Sequence, residues 1–315
     1  MSDFEGMVVR AHGGFYYVKT PAGLLTCRLR GALKQETWES DIIAVGDRVK
    51  VTHTKPGRGV VEGVLPRRTV LSRLAPLPKG KRPIKWAERE QVLVANPDQA
   101  IFVFAMREPE PHLRMLDRFL VAAERAEIGT LICANKIDLL DGQEDPRHVF
   151  GLYEEIGYEV LYTSALTGKG VDELREWLRG KLSVLAGPSG AGKSSLLNTM
   201  QPGLGLKVRE ISLALGKGRH TTMVPELLEL EVGGYVADTP GLRSFALWDI
   251  VPEELEGLYP DIAWFAPDCR YPGCSHLHEP GCAVMAAVED GGIHPTRYES
   301  YLMLYEDLAS TDWWE

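Results

Sequence analysis

The sequence predicts an α/β protein. A central, mainly parallel sheet carries helices on both faces, a small β-barrel of the OB type precedes it, and a Cys/His-bearing subdomain follows it. Three observations carry this reading. Five short strand patterns parted by turn signals fall within residues 5–66. Apolar runs and amphipathic stretches then alternate from 91 to 248. Last, three of the five cysteines crowd between 269 and 282.

The barrel comes first, at 1–68. GMVVRAH, FYYVKT and LLTCRLR are separated by Gly13-Gly14 and by Pro21-Ala22-Gly23. VGDRVKVTH and GVVEGVLP follow, parted by Lys55-Pro56-Gly57-Arg58-Gly59. Five short strands in so few residues fit a closed barrel of a type that commonly binds oligonucleotides. Phe15 and Tyr17 share one strand face and Tyr16 takes the other; one set packs the core and the other is left to stack on bases. Residues 67–89, RRTVLSRLAPLPKGKRPIKWAER, are basic, Pro-rich and without periodicity, which predicts a linker over 69–90.

The core is placed at 91–248. VLVAN, AIFVFAM, TLICAN, YEVLYTSA and SVLAGPS read as buried strands, LRMLDRFLVAAERA as a helix between them, and ELLELEV, Gly233-Gly234 and YVADTPG as a closing hairpin. Residues 249–315 are acidic and loop-rich and end in a helix near 296–309.

Charge is unevenly placed. The net value is -9, yet residues 1–90 hold 17 Lys and Arg against 9 Asp and Glu, while the other 225 hold 18 against 35. A basic binding module on an acidic body is the expected arrangement. No apolar run reaches the roughly 18–20 residues of a membrane span, and MSDFEGMVVR lacks the layout of a secretory signal. A cytoplasmic protein without a membrane partner is expected, and in a reducing compartment clustered cysteines point to metal before disulfides.

Gly187-Pro188-Ser189-Gly190-Ala191-Gly192-Lys193-Ser194 matches the phosphate-binding loop in full, between a predicted strand (SVLAG) and a predicted helix that opens with Ser194-Ser195 (SSLLNTM). Its backbone N–H groups and the helix dipole suit phosphate, Lys193 suits the β- and γ-phosphates, and the Ser194 hydroxyl suits Mg²⁺. A merely flexible turn would lack that context. The loop alone does not choose between GTP and ATP, and it would also serve a nucleotide kinase.

Asn135-Lys136-Ile137-Asp138 makes the choice, at the end of the strand TLICA. A carboxylate at Asp138 accepts from both the ring N–H and the exocyclic amine of guanine, an edge that adenine lacks. Asn135 orients the loop and base edge, and the Lys136 stem covers the ring. Thr163-Ser164-Ala165 closes another strand, with Ser164 and Ala165 expected at the base through backbone. Asp238-Thr239-Pro240-Gly241 ends the strand YVA, where Asp238 would hold Mg²⁺ through water and the Gly241 N–H would meet the γ-phosphate. Between these motifs, Gly218-Arg219-His220-Thr221-Thr222 marks a switch loop, with Thr222 preferred over Thr221 as the Mg²⁺ ligand.

The order is unusual. An ordinary small GTPase runs phosphate loop, switch threonine, DxxG, NKxD, SA; here NKxD and SA come first. The same site results if the old termini are joined and new ones opened after DxxG, which predicts a circularly permuted P-loop GTPase domain. With the barrel before it and the Cys/His cluster after it, the chain resembles the ribosome small-subunit-dependent GTPases, the RsgA or YjeQ family. NKID, TSA, GPSGAGKSS, GKGRHTT, DTPG and C-x4-C-x-H-x5-C stand intact and in that family's order, over essentially the whole chain.

Cys269, Cys274, His276 and Cys282 have the composition of a closed, structural Cys₃His zinc site. His278 competes on spacing alone, and the resemblance selects His276. Cys27 and Cys133 fall within apolar strand patterns and read as core. Leu242 follows DTPG where many GTPases keep a water-orienting Gln, and an apolar side chain cannot serve. His220 is the candidate substitute, and the resemblance points the same way.

The resemblance further implies a monomeric late assembly factor of the 30S ribosomal subunit that binds 16S rRNA, cycles between GTP and GDP with Mg²⁺, and is stimulated by the subunit. Two rivals stand beside it: a P-loop nucleotide kinase, and a nucleotide-gated RNA-binding scaffold with incidental hydrolysis. Because the chain runs from Gly241 through Trp248 straight into the acidic tail, nucleotide state is expected to reposition that tail against the core.

Overall fold

The structure, a computed structural model, describes residues 3–31, 43–74, 90–206, 226–238 and 250–310. β1 (Asp3–His12), β2 (Phe15–Thr20), β3 (Gly23–Leu29), β4 (Arg48–Lys55) and β5 (Arg58–Val64) pair in the order β1-β2-β3-β5-β4, and β4 pairs back onto β1. That closure makes the expected five-stranded barrel. Strand alternation turns Val8, Val18, Leu25, Cys27, Val49, Val51 and Val61 into one buried cluster. Tyr16 packs against the cluster, so Phe15 and Tyr17 are the outward pair. Each is covered by an arginine: Arg28 over Phe15 at 4.5 Å and Arg10 over Tyr17 at 5.4 Å from the ring centroid.

Two expectations need correction. The segment read as linker opens with a strand, β6 (Val70–Leu74), which pairs with β7 (Glu90–Ala95) in a separate two-stranded sheet. VLVAN therefore belongs to this hairpin and not to the parallel sheet. The reason is local: Asn96, at a left-handed φ of 54°, and Pro97 reverse the chain, while Leu71 and Val94 bury their side chains in the core. Between those strands, residues 75–89 lie outside the described set.

β8 (Gln99–Ala105), β9 (Gly129–Asn135), β10 (Glu159–Tyr162), β11 (Leu182–Ala186) and β13 (Tyr235–Asp238) run parallel in the order β10-β9-β8-β11-β13. β12 (Glu226–Glu229) adds the antiparallel hairpin partner of β13. Every residue of β8 is buried, as a strand covered on both faces requires. Its side chains alternate. Phe102 and Phe104 meet α1 (Leu113–Arg125) and α2 (Arg147–Ile156) through Phe119, Leu120, Phe150 and Tyr153. Ile101 and Val103 meet α3 (Val171–Leu178) and α4 (Lys193–Met200) through Leu174, Leu178, Leu196 and Leu197. Each such side chain contributes about 1.5–3 kcal/mol by leaving water.

Barrel and core share one ladder. β1 pairs with β12 at Arg10 opposite Glu226, which joins both units into an eleven-stranded sheet. Two exposed ion pairs cross the join, Arg10–Glu226 at 3.9 Å and Lys19–Glu229 at 2.9 Å. Pairs of that kind contribute at most about 1 kcal/mol; the ladder does the joining.

The tail packs its own apolar core, including Leu255, Tyr259, Ile262, Val284, Ile293, Tyr301 and Leu304, and Val121 of α1 belongs to the same cluster. At that junction Arg297, only 1% exposed, donates to Asp117 of α1 at 2.5 Å and to Asp261 at 2.7 and 3.1 Å. A buried guanidinium shared across the boundary opposes the expectation that the tail swings as a body against α1. Breaking the contact would strand charge in a dry interior.

Candidate functional site

The parallel strands end on one edge of the sheet, where ligands of α/β folds bind. β11 leads into the phosphate loop, β9 ends at Asn135, β10 runs into Thr163, and β13 ends at Asp238 beside β11. Three-dimensional adjacency thus reunites motifs that the chain presents in permuted order.

Two glycines make the phosphate loop possible. At Gly187 (φ 142°) a Cβ would lie 2.0 Å from the Val103 carbonyl oxygen, and at Gly192 (φ 96°) 2.2 Å from the Asn135 amide nitrogen. Gly192 then caps α4. Lys193 Nζ donates to the carbonyls of Gly187 and Pro188 at 2.7 and 2.8 Å, which holds its ammonium over the loop. Ser194 is buried at the first turn of α4. A concave backbone with a positive helix end and an ammonium across it suits polyphosphate.

Asn135 is fully buried, and its side chain serves the protein. Its Nδ2 donates to the Ala191 carbonyl at 2.8 Å, while its Oδ1 accepts from the Thr163 hydroxyl at 3.1 Å and the Ala165 N–H at 3.3 Å. One amide clamps phosphate loop and TSA loop together. Asp138 sits on the 3₁₀ turn Ile137–Leu139, which Lys136 enters at a left-handed φ of 65°. Ser164 donates its hydroxyl to Asp138 Oδ1, so this serine aims the carboxylate through its side chain. Lys136 donates to the Glu108 carbonyl, which stretches its stem toward the loop after β8. Sequence reasoning missed the parts played by the Ala191 and Glu108 carbonyls; backbone acceptors leave no mark in residue type.

His220, Thr221, Thr222, Gly241 and Leu242 lie outside the described residues. Cys27 and Cys133 are fully buried, and burial pushes their thiols up to about 11 and about 12, as inert core residues.

The second cluster lies in the tail. One ligand atom from each of Cys269, Cys274, His276 and Cys282 falls within 4.8 Å of the others. Tetrahedral zinc with bonds of about 2.3 Å to sulfur and about 2.0 Å to nitrogen puts sulfurs about 3.8 Å apart and sulfur about 3.5 Å from nitrogen. Cys269 and Cys282 sulfurs are 3.9 Å apart, and His276 Nδ1 lies 3.6 and 3.4 Å from them. The donor set fits. Backbone N–H groups of Ala283 and Met285 point at Cys269 and Cys282 sulfurs, both at 3.4 Å, as thiolates favour. Burial pushes the Cys274 thiol up to about 12 and raises that of Cys282, so a cation is what would make thiolates stable there.

Fold and site together define a circularly permuted GTPase. Residues 64–248 match the family described as RsgA GTPase, and residues 5–61 match the RsgA N-terminal domain. The chain belongs to the RsgA family. It is 45% identical over 309 residues to the Small ribosomal subunit biogenesis GTPase RsgA of Moorella thermoacetica, covering 98% of each chain. With the protein of the same name from Caldanaerobacter subterraneus it shares 40% over 312 residues, 99% of this chain and 98% of that one. Among solved structures, YjeQ from Thermotoga maritima superposes with a TM-score of 0.77 at 38% identity, covering 98% and 99%. YloQ, described as a circularly permuted GTPase, gives 0.74 at 32%, covering 98% and 96%.

Proposed function

We propose that this protein hydrolyses GTP as a late maturation factor of the small ribosomal subunit. The observation that carries the reading is the end-to-end match, barrel through Cys/His tail, to relatives named for small-subunit biogenesis. Asp138 selects guanine, with Ser164 aiming it and Asn135 holding the loops in register. The phosphate loop, residues 187–195, cradles the phosphates under Lys193. Ser194, Asp238 and Thr222, or Thr221 in its place, would hold Mg²⁺, which neutralises charge on the β- and γ-phosphate oxygens. Gly241 meets the γ-phosphate, and His220 orients the attacking water where Leu242 cannot.

The Cys₃His set holds one structural Zn²⁺. The basic first 90 residues, the barrel and the segment after it, supply the grip on 16S rRNA. A monomer acting in the cytoplasm on the 30S subunit completes the proposal. The test is GTP turnover with and without purified 30S subunits. Acceleration by the subunits, with free phosphate as product, is expected. Turnover indifferent to 30S, or transfer of phosphate to a small acceptor, would remove the proposal.

A further inference from the structure

The two ring nitrogens of His276 face different partners. Nδ1 points at the sulfurs of Cys269 and Cys282, and Nε2 lies 2.8 Å from Glu256 Oε2. Glu256 stands on the turn Pro252–Leu258, twenty residues earlier in the chain. An ionised carboxylate only accepts, so the hydrogen must sit on Nε2, and the Nδ1 lone pair is left for a metal.

The backbone around the ring is held independently. His276 adopts a left-handed φ of 61°, its carbonyl accepts from the Tyr298 hydroxyl at 2.6 Å, and the Ser275 carbonyl accepts from the Tyr301 hydroxyl at 3.1 Å. With the main chain pinned and the ring fully buried, the remaining freedom is rotation about the side-chain bonds. A flipped ring would turn Nε2 toward the thiols. Glu256 opposes that flip because it would lose its donor.

We propose that Glu256 is the positioning residue of the zinc centre: by holding Nε2 of His276 it selects Nδ1 as the ligand atom and fixes the ring's orientation toward the thiols. The assignment rests on the zinc reading of the Cys₃His set. An ordinary surface ion pair would leave metal affinity untouched, since exposed pairs contribute little and couple to nothing. A carboxylate behind a ligating imidazole instead changes affinity by about 10–100-fold.

The experiment uses the full chain loaded with Zn²⁺ and a competing chromogenic chelator, comparing the parent with E256Q and E256A. The amide oxygen of glutamine can accept the same bond, so E256Q should stay within about threefold of the parent, while E256A should weaken zinc by about 10–100-fold and release it faster. Equal affinity and release in E256A would overturn the proposal while leaving the zinc site standing. A parent that takes up no zinc would overturn both. Should E256A fail to fold, ¹⁵N shifts of the His276 ring in the zinc-loaded parent decide the matter. A protonated Nε2 with a metal-bound Nδ1 supports the assignment, and the reverse tautomer overturns it.

Discussion

The side-chain amide of Asn135 donates to the carbonyl of Ala191 at 2.8 Å, across 56 positions of the chain. Through this bond the NKID segment and the glycine-rich loop before α4 are built on each other. Replacing Asn135 with Ala removes it together with the bonds from Thr163 and Ala165, and leaves the acceptor at Ala191 buried without its donor. A loss of about 1–3 kcal/mol in folding stability is expected. GTP affinity should fall with it, because both halves of the pocket lose register. Calorimetric unfolding and a nucleotide titration on Asn135→Ala check the two effects together.

Asp138→Asn should weaken GTP binding by about 1.5–3 kcal/mol, the usual worth of a hydrogen bond to a charged group. Xanthine nucleotides give the sharper reading. Xanthine carries a carbonyl where guanine carries the exocyclic amine, and the new amide can donate to it. Binding of xanthosine triphosphate should rise in the same variant. Unchanged preference for GTP in a competition titration would take Asp138 out of base recognition.

Lys193→Ala should abolish hydrolysis and leave the fold in place. Lys193 donates to part-buried carbonyls of its own loop, at Gly187 and Pro188, so little stability depends on those two bonds. Single-turnover phosphate release and thermal melting should separate the two effects.

Removing zinc with a chelator should open residues 250–310 to amide exchange and spare GTP binding. The Cys₃His set gathers chain from Cys269 to Cys282 and packs in the tail's own core, whereas the phosphate loop packs through Ala191 in a different cluster. One zinc per chain is expected by elemental analysis, and Cys274→Ser should reproduce the chelated state. Full protection of the tail in metal-free protein would refute the structural part assigned to zinc.

Arg297→Met should destabilise the chain by about 3–5 kcal/mol, since Asp117 and Asp261 would be left as buried charges without a cation. The same network predicts rigidity. Fluorophores on α1 and on the helix Pro295–Ser310 should report one distance with GDP and with a non-hydrolysable GTP analogue. A nucleotide-dependent change there would restore the swinging tail.

Much of the site was legible because its chemistry is local. The phosphate loop, NKID and TSA are short contiguous strings whose spacing follows from a strand meeting a turn. The outward set of barrel aromatics was not decided by alternation, which gives two faces without saying which looks in; Tyr16 joined the core and Phe15 and Tyr17 the surface. VLVAN has the composition of a central strand, and only the reversal at Asn96-Pro97 assigns it to a hairpin. Arg297 reads as a solvated helix residue, and Glu256 as one more charge in an acidic run. Both take their meaning from partners far along the chain, which no local pattern records.

The join between β1 and β12 has a consequence for synthesis. Lys19 and Glu229, paired across that join, stand 210 positions apart. The barrel can close as soon as β5 has been made, yet the strand beside β1 emerges much later. Until then the outer edge of β1 near Arg10 offers unpaired backbone groups to any passing strand. Contacts of such long range are slow to form, because loop closure costs entropy before pairing repays it. Nascent chains halted between β5 and β12 should therefore be the aggregation-prone species, and chains released after β13 should not.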